Sequence, residues 1–191
     1  MGLAVDAAGS TFVTEVTGRR IREITTGGTV SILCGDGTMN YFEAVGTSAQ
    51  LHRPDGADFF GTDVFFADKT VNRIRKVTVS TKQTYLVAGD GTAGFLDGVT
   101  PRFSGPRGIT VDGSGNIYVT EQTNGAIRKV DTSGVATTVV GTGAQGATVL
   151  GVGVNVRLQN PGGHALDPTG GYLYICELTE QKLLMLDIAT G

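Results

Sequence analysis

The sequence contains no tryptophan, and its 191 residues include only two cysteines and two histidines. Two cysteines cannot build a disulfide framework, which excludes a small cross-linked fold. The motifs His-x-x-His, Cys-x-x-Cys and Gly-x-Ser-x-Gly do not occur, so the sequence offers no support for zincin, zinc-ribbon or hydrolase-elbow chemistry. No apolar run reaches the roughly 18 residues that would span a bilayer. The N-terminus lacks the basic start and apolar core of a signal peptide, which leaves the compartment open.

Charge is also scarce, because charged residues make up 17% of the chain and the formal net charge is −3. The short basic clusters, such as Arg73-Ile74-Arg75-Lys76, alternate with acids along the chain. A single-stranded nucleic-acid surface needs clustered cations beside stacking aromatics. The composition therefore argues against nucleic acid as a partner.

Glycine, in contrast, is abundant at 30 residues, and it separates short runs of β-branched and aromatic side chains. The clearest example lies around residues 108–131, where three such runs are divided by Gly, Ser and Asn. This pattern predicts strands at Ile109–Val111, Ile117–Thr120 and Ala126–Val130, followed by a fourth strand at Ala136–Val140. Four short strands joined by tight turns predict one antiparallel meander.

The same pattern recurs along the whole chain. In each copy an acid ends the second strand, six residues before a branched residue of the third; these pairs are Glu15 and Ile21, Asp68 and Ile74, Glu121 and Ile127, and Glu177 and Leu183. Equivalent glycines lie 54, 52 and 55 residues apart, at Gly2, Gly56, Gly108 and Gly163. A four-stranded unit repeated at this period predicts an all-β propeller with about four blades. We therefore predict one domain, 1–191, with copies at 1–55, 56–107, 108–162 and 163–191 and an incomplete last blade.

The motifs Pro-x-Gly-Ile-x-Val-Asp, Gly-Asn-Ile-Tyr-Val and Ile-Arg-Lys-Val resemble the NHL repeat, and the resemblance covers nearly the whole chain. It implies an NHL-type β-propeller or a segment of one. Two copies depart from the pattern: Asp58-Phe59-Phe60 stands where Val-Asp is expected, and Leu184 replaces an arginine. The resemblance is specific for the fold and weak for function, because such blades carry binding surfaces and, more rarely, active sites.

Acids and arginines repeat seven residues apart on adjacent strands. The pairs are Glu15 and Arg22, Asp68 and Arg75, and Glu121 and Arg128. An active site normally occurs once in a ring, whereas these pairs occur in every one of the first three copies. We therefore predict a structural clamp, formed by a cross-strand ion pair or a shared backbone partner.

Three aspartates, Asp6, Asp112 and Asp167, end predicted first strands, which line the central channel of a propeller. Converging channel carboxylates could hold calcium, as the resemblance to lactonase-like propellers would imply. The alternative is that each aspartate caps its own turn. We favour the turns and predict no metal and no cofactor. The two cysteines, Cys34 and Cys176, are interpreted as small buried residues.

The third strand of the last copy is unusually apolar, with Leu183, Leu184, Met185 and Leu186 in succession. An open propeller arc would expose this edge and the opposite end near Gly2, and both would invite association. We therefore expect these four residues to lie at an interface. Either the chain is part of a longer propeller, or a protein partner or a second copy covers its open ends.

The sequence as a whole favours a non-catalytic scaffold for protein–protein interaction or assembly, with no membrane span. Its long connections, 35–53 and 141–160, are the expected variable contact surfaces. The alternative is an enzyme of lactonase or lyase type with a metal in the channel, whose site lies partly outside this chain. We lean against an enzyme without excluding one.

Overall fold

The computed structural model describes residues 1–189, and within them the chain folds into fifteen strands. Thr190 and Gly191, at the end of the predicted fourth copy, lie outside the described residues. The strands are β1 (Leu3–Val5), β2 (Thr11–Glu15), β3 (Arg20–Ile24), β4 (Val30–Cys34), β5 (Pro54–Phe60), β6 (Asp63–Asp68), β7 (Arg73–Thr78), β8 (Thr84–Ala88), β9 (Pro106–Val111), β10 (Ile117–Glu121), β11 (Ala126–Val130), β12 (Ala136–Val140), β13 (Pro161–Leu166), β14 (Tyr172–Glu177) and β15 (Lys182–Asp187).

Consecutive strands pair antiparallel into four separate sheets. Strands β1–β4 form blade one, β5–β8 blade two, β9–β12 blade three, and the three strands β13–β15 form blade four. The first strands of neighbouring blades lie against one another, so the sheets radiate from their inner strands. The prediction of an all-β propeller with about four antiparallel blades is confirmed, and the described part of the last blade has three strands.

The first strand of blade three begins earlier than its predicted start at Ile109, and the first strands of blades two and four likewise begin at a proline. They start at Pro54, Pro106 and Pro161, because each proline pairs with the acid that ends the second strand. The register then shifts before regular pairing resumes. A proline lacks an N–H and is tolerated at the first residue of a strand, where no ladder donor is needed.

The apolar core is divided into three clusters, each between two neighbouring blades. One residue from each connecting segment is inserted into a cluster: Leu51, Phe103 and Leu158 are all at most 1% exposed. Burial of a side chain of this size contributes about 1.5–3 kcal/mol to folding. The connecting loops are thus part of the packing between blades, and this placement determines which side chains they bring to the blade surfaces.

In the described part of the chain, helical structure is limited to three single turns of 3-10 helix, at Gly46–Ser48, Lys69–Val71 and Gly153–Asn155. Within residues 1–189, no helix has the length and apolar character required to cross a membrane.

Candidate functional site

The repeated arginine of blade two is completely buried, and its hydrogen bonds reach five oxygen atoms of two carboxylates and two carbonyl groups. Arg75 donates hydrogen bonds to both carboxylate oxygens of Glu43 at 2.9 Å and to Asp68 at 2.8 Å. Its remaining hydrogen bonds reach the carbonyl oxygens of Gln50 at 2.9 Å and Phe42 at 3.2 Å. A buried guanidinium is stable only when its charge and its donors are matched in this way. We call this arrangement the arginine socket.

Blade three repeats the arginine socket around Arg128, which is also completely buried. Arg128 donates to Glu121 at 2.6 Å and to Asp97 at 2.5 Å. The carbonyl oxygens of Arg102 and Leu96 accept at 3.2 and 2.7 Å, in the places of Gln50 and Phe42. The connecting loop before each of these blades therefore supplies one acid and two carbonyl groups to the arginine.

In blades two and four, the acid at the end of the second strand has a further role, which is to bind the incoming loop. Asp68 accepts hydrogen bonds from the backbone N–H groups of His52 and Arg53. Glu177 accepts the equivalent pair from Gln159 and Asn160, at 3.0 and 2.6 Å. The acid thus fastens the chain where it enters the next blade, whether or not an arginine stands beside it.

Burial also changes the ionisation of Glu121. Desolvation raises the pKa of this carboxyl to about 7, although Arg128 and the donors from Ser104 and Asn124 act in the opposite direction. Asp97, the acid of the loop, supplies the second carboxylate of the socket, and its side chain is half exposed.

The loop acids Glu43 and Asp97 were missed by the sequence reasoning. A signal is present, because both follow an aromatic-rich pair, Tyr41-Phe42 and Phe95-Leu96, and both come shortly before the residue inserted between blades. The connecting segments differ in the rest of their sequence, so the acids do not stand out from the strand pattern alone.

Blade four has apolar residues in place of the arginine and the loop acid. Leu184 occupies the position of the arginine, and Leu150 occupies that of the loop acid, as the bridges Phe42–Gln50, Leu96–Arg102 and Val149–Arg157 show. Leu150 and Leu184 line the same apolar cavity. Both members of the pair have changed together, so no unmatched charge is left between the loop and the blade.

The predicted interface residues therefore divide between two faces of blade four. The expectation that all four lie at an interface is wrong for Leu186, which is buried against blade three, and Leu184 is half-buried on that side. Leu183 and Met185 point the other way and are 68% and 62% exposed. Alternation along a strand places successive side chains on opposite faces, so a run of four apolar residues cannot serve one surface.

Blade one carries a pair that is only partly enclosed. Arg22 donates from Nε to Glu15 at 2.7 Å, and both side chains are about one-third exposed. Within residues 1–189, this is the one hydrogen bond that the Arg22 side chain makes. The two residues lie on the outer face of blade one.

Each predicted channel aspartate binds its own turn. Asp6 accepts from the N–H groups of Ala8 and Ser10, Asp112 from Ser114 and Asn116, and Asp167 from Thr169 and Tyr172. The described residues contain no group of three or more His, Cys, Asp or Glu side chains placed to hold a metal. The three aspartates therefore serve turns, and the structure does not bring them together.

The two cysteines have different environments. Cys34 is buried between blades one and two, and burial raises the pKa of its thiol to about 12. Cys176 is exposed, contrary to expectation, because its strand position faces the open side of blade four.

One open cleft of about 490 Å³ lies between the turns of blades two and three. Phe60, Phe65 and Leu86 provide its apolar walls, and the Lys76–Asp63 ion pair lies at its side. Among the described residues, no histidine or cysteine lines this cleft.

Residues 86–178 match the teneurin NHL domain. No curated protein matches the sequence. Among solved structures, a protein of unknown function from Bacteroides thetaiotaomicron is 18% identical, with a TM-score of 0.80 over 97% of this chain and 46% of that one. An auxiliary nutrient binding protein from the same organism is 16% identical, with a TM-score of 0.71 over 94% and 45%. A gluconolactonase from Xanthomonas campestris is 13% identical, with a TM-score of 0.67 over 97% and 57%.

These likenesses show a shared β-propeller fold. The chain spans about half the length of the solved structures that it matches. Together with the NHL match, the four blades identify the chain as an NHL-repeat β-propeller, as its sequence pattern predicts.

Proposed function

We propose that this chain is a non-catalytic NHL-repeat scaffold that binds protein through the open faces of its first and last blades. The observation that carries the proposal is the apolar face of blade four. Leu183 and Met185 lie on this face with Tyr172, Tyr174 and Cys176, and all five side chains are exposed. Contiguous exposed apolar side chains favour association with another polypeptide.

Pairing within blade four makes this face continuous. Tyr174 lies opposite Met185, and Cys176 lies opposite Leu183, so the exposed side chains form neighbouring rows across two strands. The corresponding faces of blades two and three are covered by the next blade and supply the buried clusters. A sheet from another protein, or from a second copy, could cover blade four in the same way.

The repeated charged residues support a structural role. Both arginine sockets are satisfied by contacts within the chain, and Arg75 and Arg128 are inaccessible to a ligand. The residues proposed as a clamp, Glu15, Arg22, Asp68, Arg75, Glu121 and Arg128, accordingly hold loops and strands together in this proposal.

Sedimentation over a wide concentration range tests the proposed binding. We expect the chain to associate, and the double variant Leu183→Asp, Met185→Asp to weaken association by about tenfold or more, because burial of a charge is unfavourable. Val99→Asp is the matched control, since Val99 is 82% exposed on a loop. A chain that stays monomeric at high concentration, or a control that weakens association equally, would contradict the proposal.

The second candidate is a propeller enzyme of lactonase or lyase type. It is favoured by one observation, the likeness to a gluconolactonase structure. The test is the metal content of the purified protein together with hydrolysis of a simple sugar lactone. Stoichiometric calcium or zinc with lactone turnover would favour the enzyme over the scaffold.

A further inference from the structure

We infer that the outer face of blade one is a docking surface for another NHL-type blade, whose connecting loop brings a carboxylate to Arg22. This inference rests on the proposed protein-binding function and specifies the partner's surface at the end opposite to Leu183. The proposed occupant is one kind of element: a blade that carries an acidic loop like 35–53 or 89–105.

The two arginine sockets define what is missing around Arg22. Arg75 and Arg128 each bind a strand acid, a loop acid and two loop carbonyl groups. Arg22 has the strand acid, Glu15, and among the described residues no loop covers it. The donors of its guanidinium group that the strand acid does not use are therefore available to a partner.

The strand acid of blade one is incomplete in the same way. Asp68 and Glu177 each fasten two backbone N–H groups of an incoming loop. Glu15 occupies the equivalent position, and among residues 1–189 its side chain accepts one hydrogen bond, from Arg22. A single loop of the expected shape would satisfy both residues, through a carboxylate and carbonyls on Arg22 and N–H groups on Glu15.

Apolar side chains surround this pair on the outer face. Leu3 pairs with Val13, Val13 with Arg22, and Arg22 with Ile32, so these residues form one row across the blade. In blade two the equivalent row contains Phe66 and Arg75, both completely buried under loop 35–53 and blade one. An apolar surface with one arginine–acid pair is thus the side of a blade that receives its neighbour.

Blade four indicates which side chain the loop of the docking blade should carry. Where the arginine is replaced by Leu184, the covering loop presents Leu150 in place of an acid. Blade one retains its arginine, so its occupant is expected to retain the acid. A second copy of this chain does not provide one, because loops 35–53 and 89–105 already cover Arg75 and Arg128 within their own chain.

The experiment extends the full chain rather than dividing it. A copy of residues 56–107, which includes the acidic loop, is fused before Gly2, and a second fusion carries Asp97→Asn in the added copy only. Modification of Arg22 by phenylglyoxal is followed by peptide mass spectrometry in the original chain and in both fusions. Exposed Arg157 serves as the accessible control, and buried Arg128 as the protected one.

We expect the first fusion to slow modification of Arg22 by about tenfold or more, as charge-assisted hydrogen bonds to the loop carboxylate should. Asp97→Asn should restore most of the original rate, while Arg157 and Arg128 stay unchanged. Equal rates in the original chain and the first fusion would overturn the inference. So would equal protection in both fusions, which would make the carboxylate irrelevant.

Concentration-dependent protection of Arg22 in the original chain would also overturn the inference, by showing that a second copy is the occupant. The proposed scaffold function is measured separately, by sedimentation of the Leu183 and Met185 variants. A failure of the inference about blade one can therefore be distinguished from a failure of the proposed binding through blade four.

Discussion

We call the contact between a connecting loop and the blade that follows it a joint. The joints of blades two and four lie at equivalent positions, but the first is formed by charged side chains and the second by apolar ones. At blade two, Arg75 is buried between Asp68 and Glu43. At blade four, Leu184 and Leu150 occupy those positions, and the remaining acid, Glu177, binds backbone N–H groups. The comparison separates two roles that the sequence repeat combines, because the acid is retained without its arginine. Fastening of the loop backbone is therefore the constant feature, and the arginine is one of two ways to fill the space.

The largest expected effect comes from breaking the charged joint on one side only. Arg75→Leu should destabilise the protein by roughly 3–5 kcal/mol, because it leaves two carboxylates and two carbonyl groups without their donor. The conservative change Leu184→Met in the apolar joint should cost less than about 1.5 kcal/mol. Urea denaturation of both variants checks this ranking. Equal costs would mean that Arg75 contributes no more than its packing.

A smaller effect should distinguish the two strand acids. Glu177→Gln is expected to cost about 1–3 kcal/mol, because one of the two backbone N–H groups loses its acceptor. Asp68→Asn should cost more, since it also weakens the pairing of Arg75. The midpoints of urea unfolding give the comparison. If the Glu177 variant were the less stable one, the arginine would not depend on the strand acid.

The smallest predicted effect is a pH dependence of stability that arises from His164 in blade four. His164 stands where blade two has Ala57; its Nε2 lies 3.1 Å from the Tyr118 carbonyl oxygen, and burial lowers its pKa to about 4. As pH falls from the ordinary value of 6.5 through 4, the unfolded chain takes up a proton that the folded chain refuses. Stability contributed by neutral His164 should therefore be present above pH 6.5 and be lost towards pH 4.

Unfolding measured between pH 7 and 4 checks this expectation in the His164→Gln variant. The variant should lose less stability over that interval than the unmodified protein, whereas the control His52→Gln should keep the original dependence. An unchanged acid dependence in His164→Gln would show that His164 takes up its proton equally in both states.

The strand repeat and the propeller could be predicted from sequence, because periodic apolar residues and glycine turns act locally. The early strand starts at Pro54, Pro106 and Pro161 could not, since they depend on a register shift against the second strand. The alternation of side chains between the two faces of a strand could also be predicted from sequence. It places Leu183 and Leu186 on opposite faces of β15.

Only the strand residues of the candidate site could be predicted from the sequence. The strand pairs Asp68–Arg75 and Glu121–Arg128 follow from a spacing of seven residues, and the structure places both pairs in direct contact. Their loop partners Glu43 and Asp97 lie 32 and 31 residues away, in segments of irregular sequence. Such contacts are fixed by how the loops fold over the blades, which no strand period encodes.

The most direct test of the account is a double-mutant cycle that converts the charged joint of blade two into the apolar joint of blade four. Glu43→Leu, Arg75→Leu and the double variant are compared with the unmodified protein by urea denaturation. The account predicts that the double variant is more stable than Arg75→Leu alone, with a coupling energy of about 1–3 kcal/mol between the two positions. Simple addition of the two single costs, or a double variant less stable than Arg75→Leu, would contradict the claim that the two joints are interchangeable.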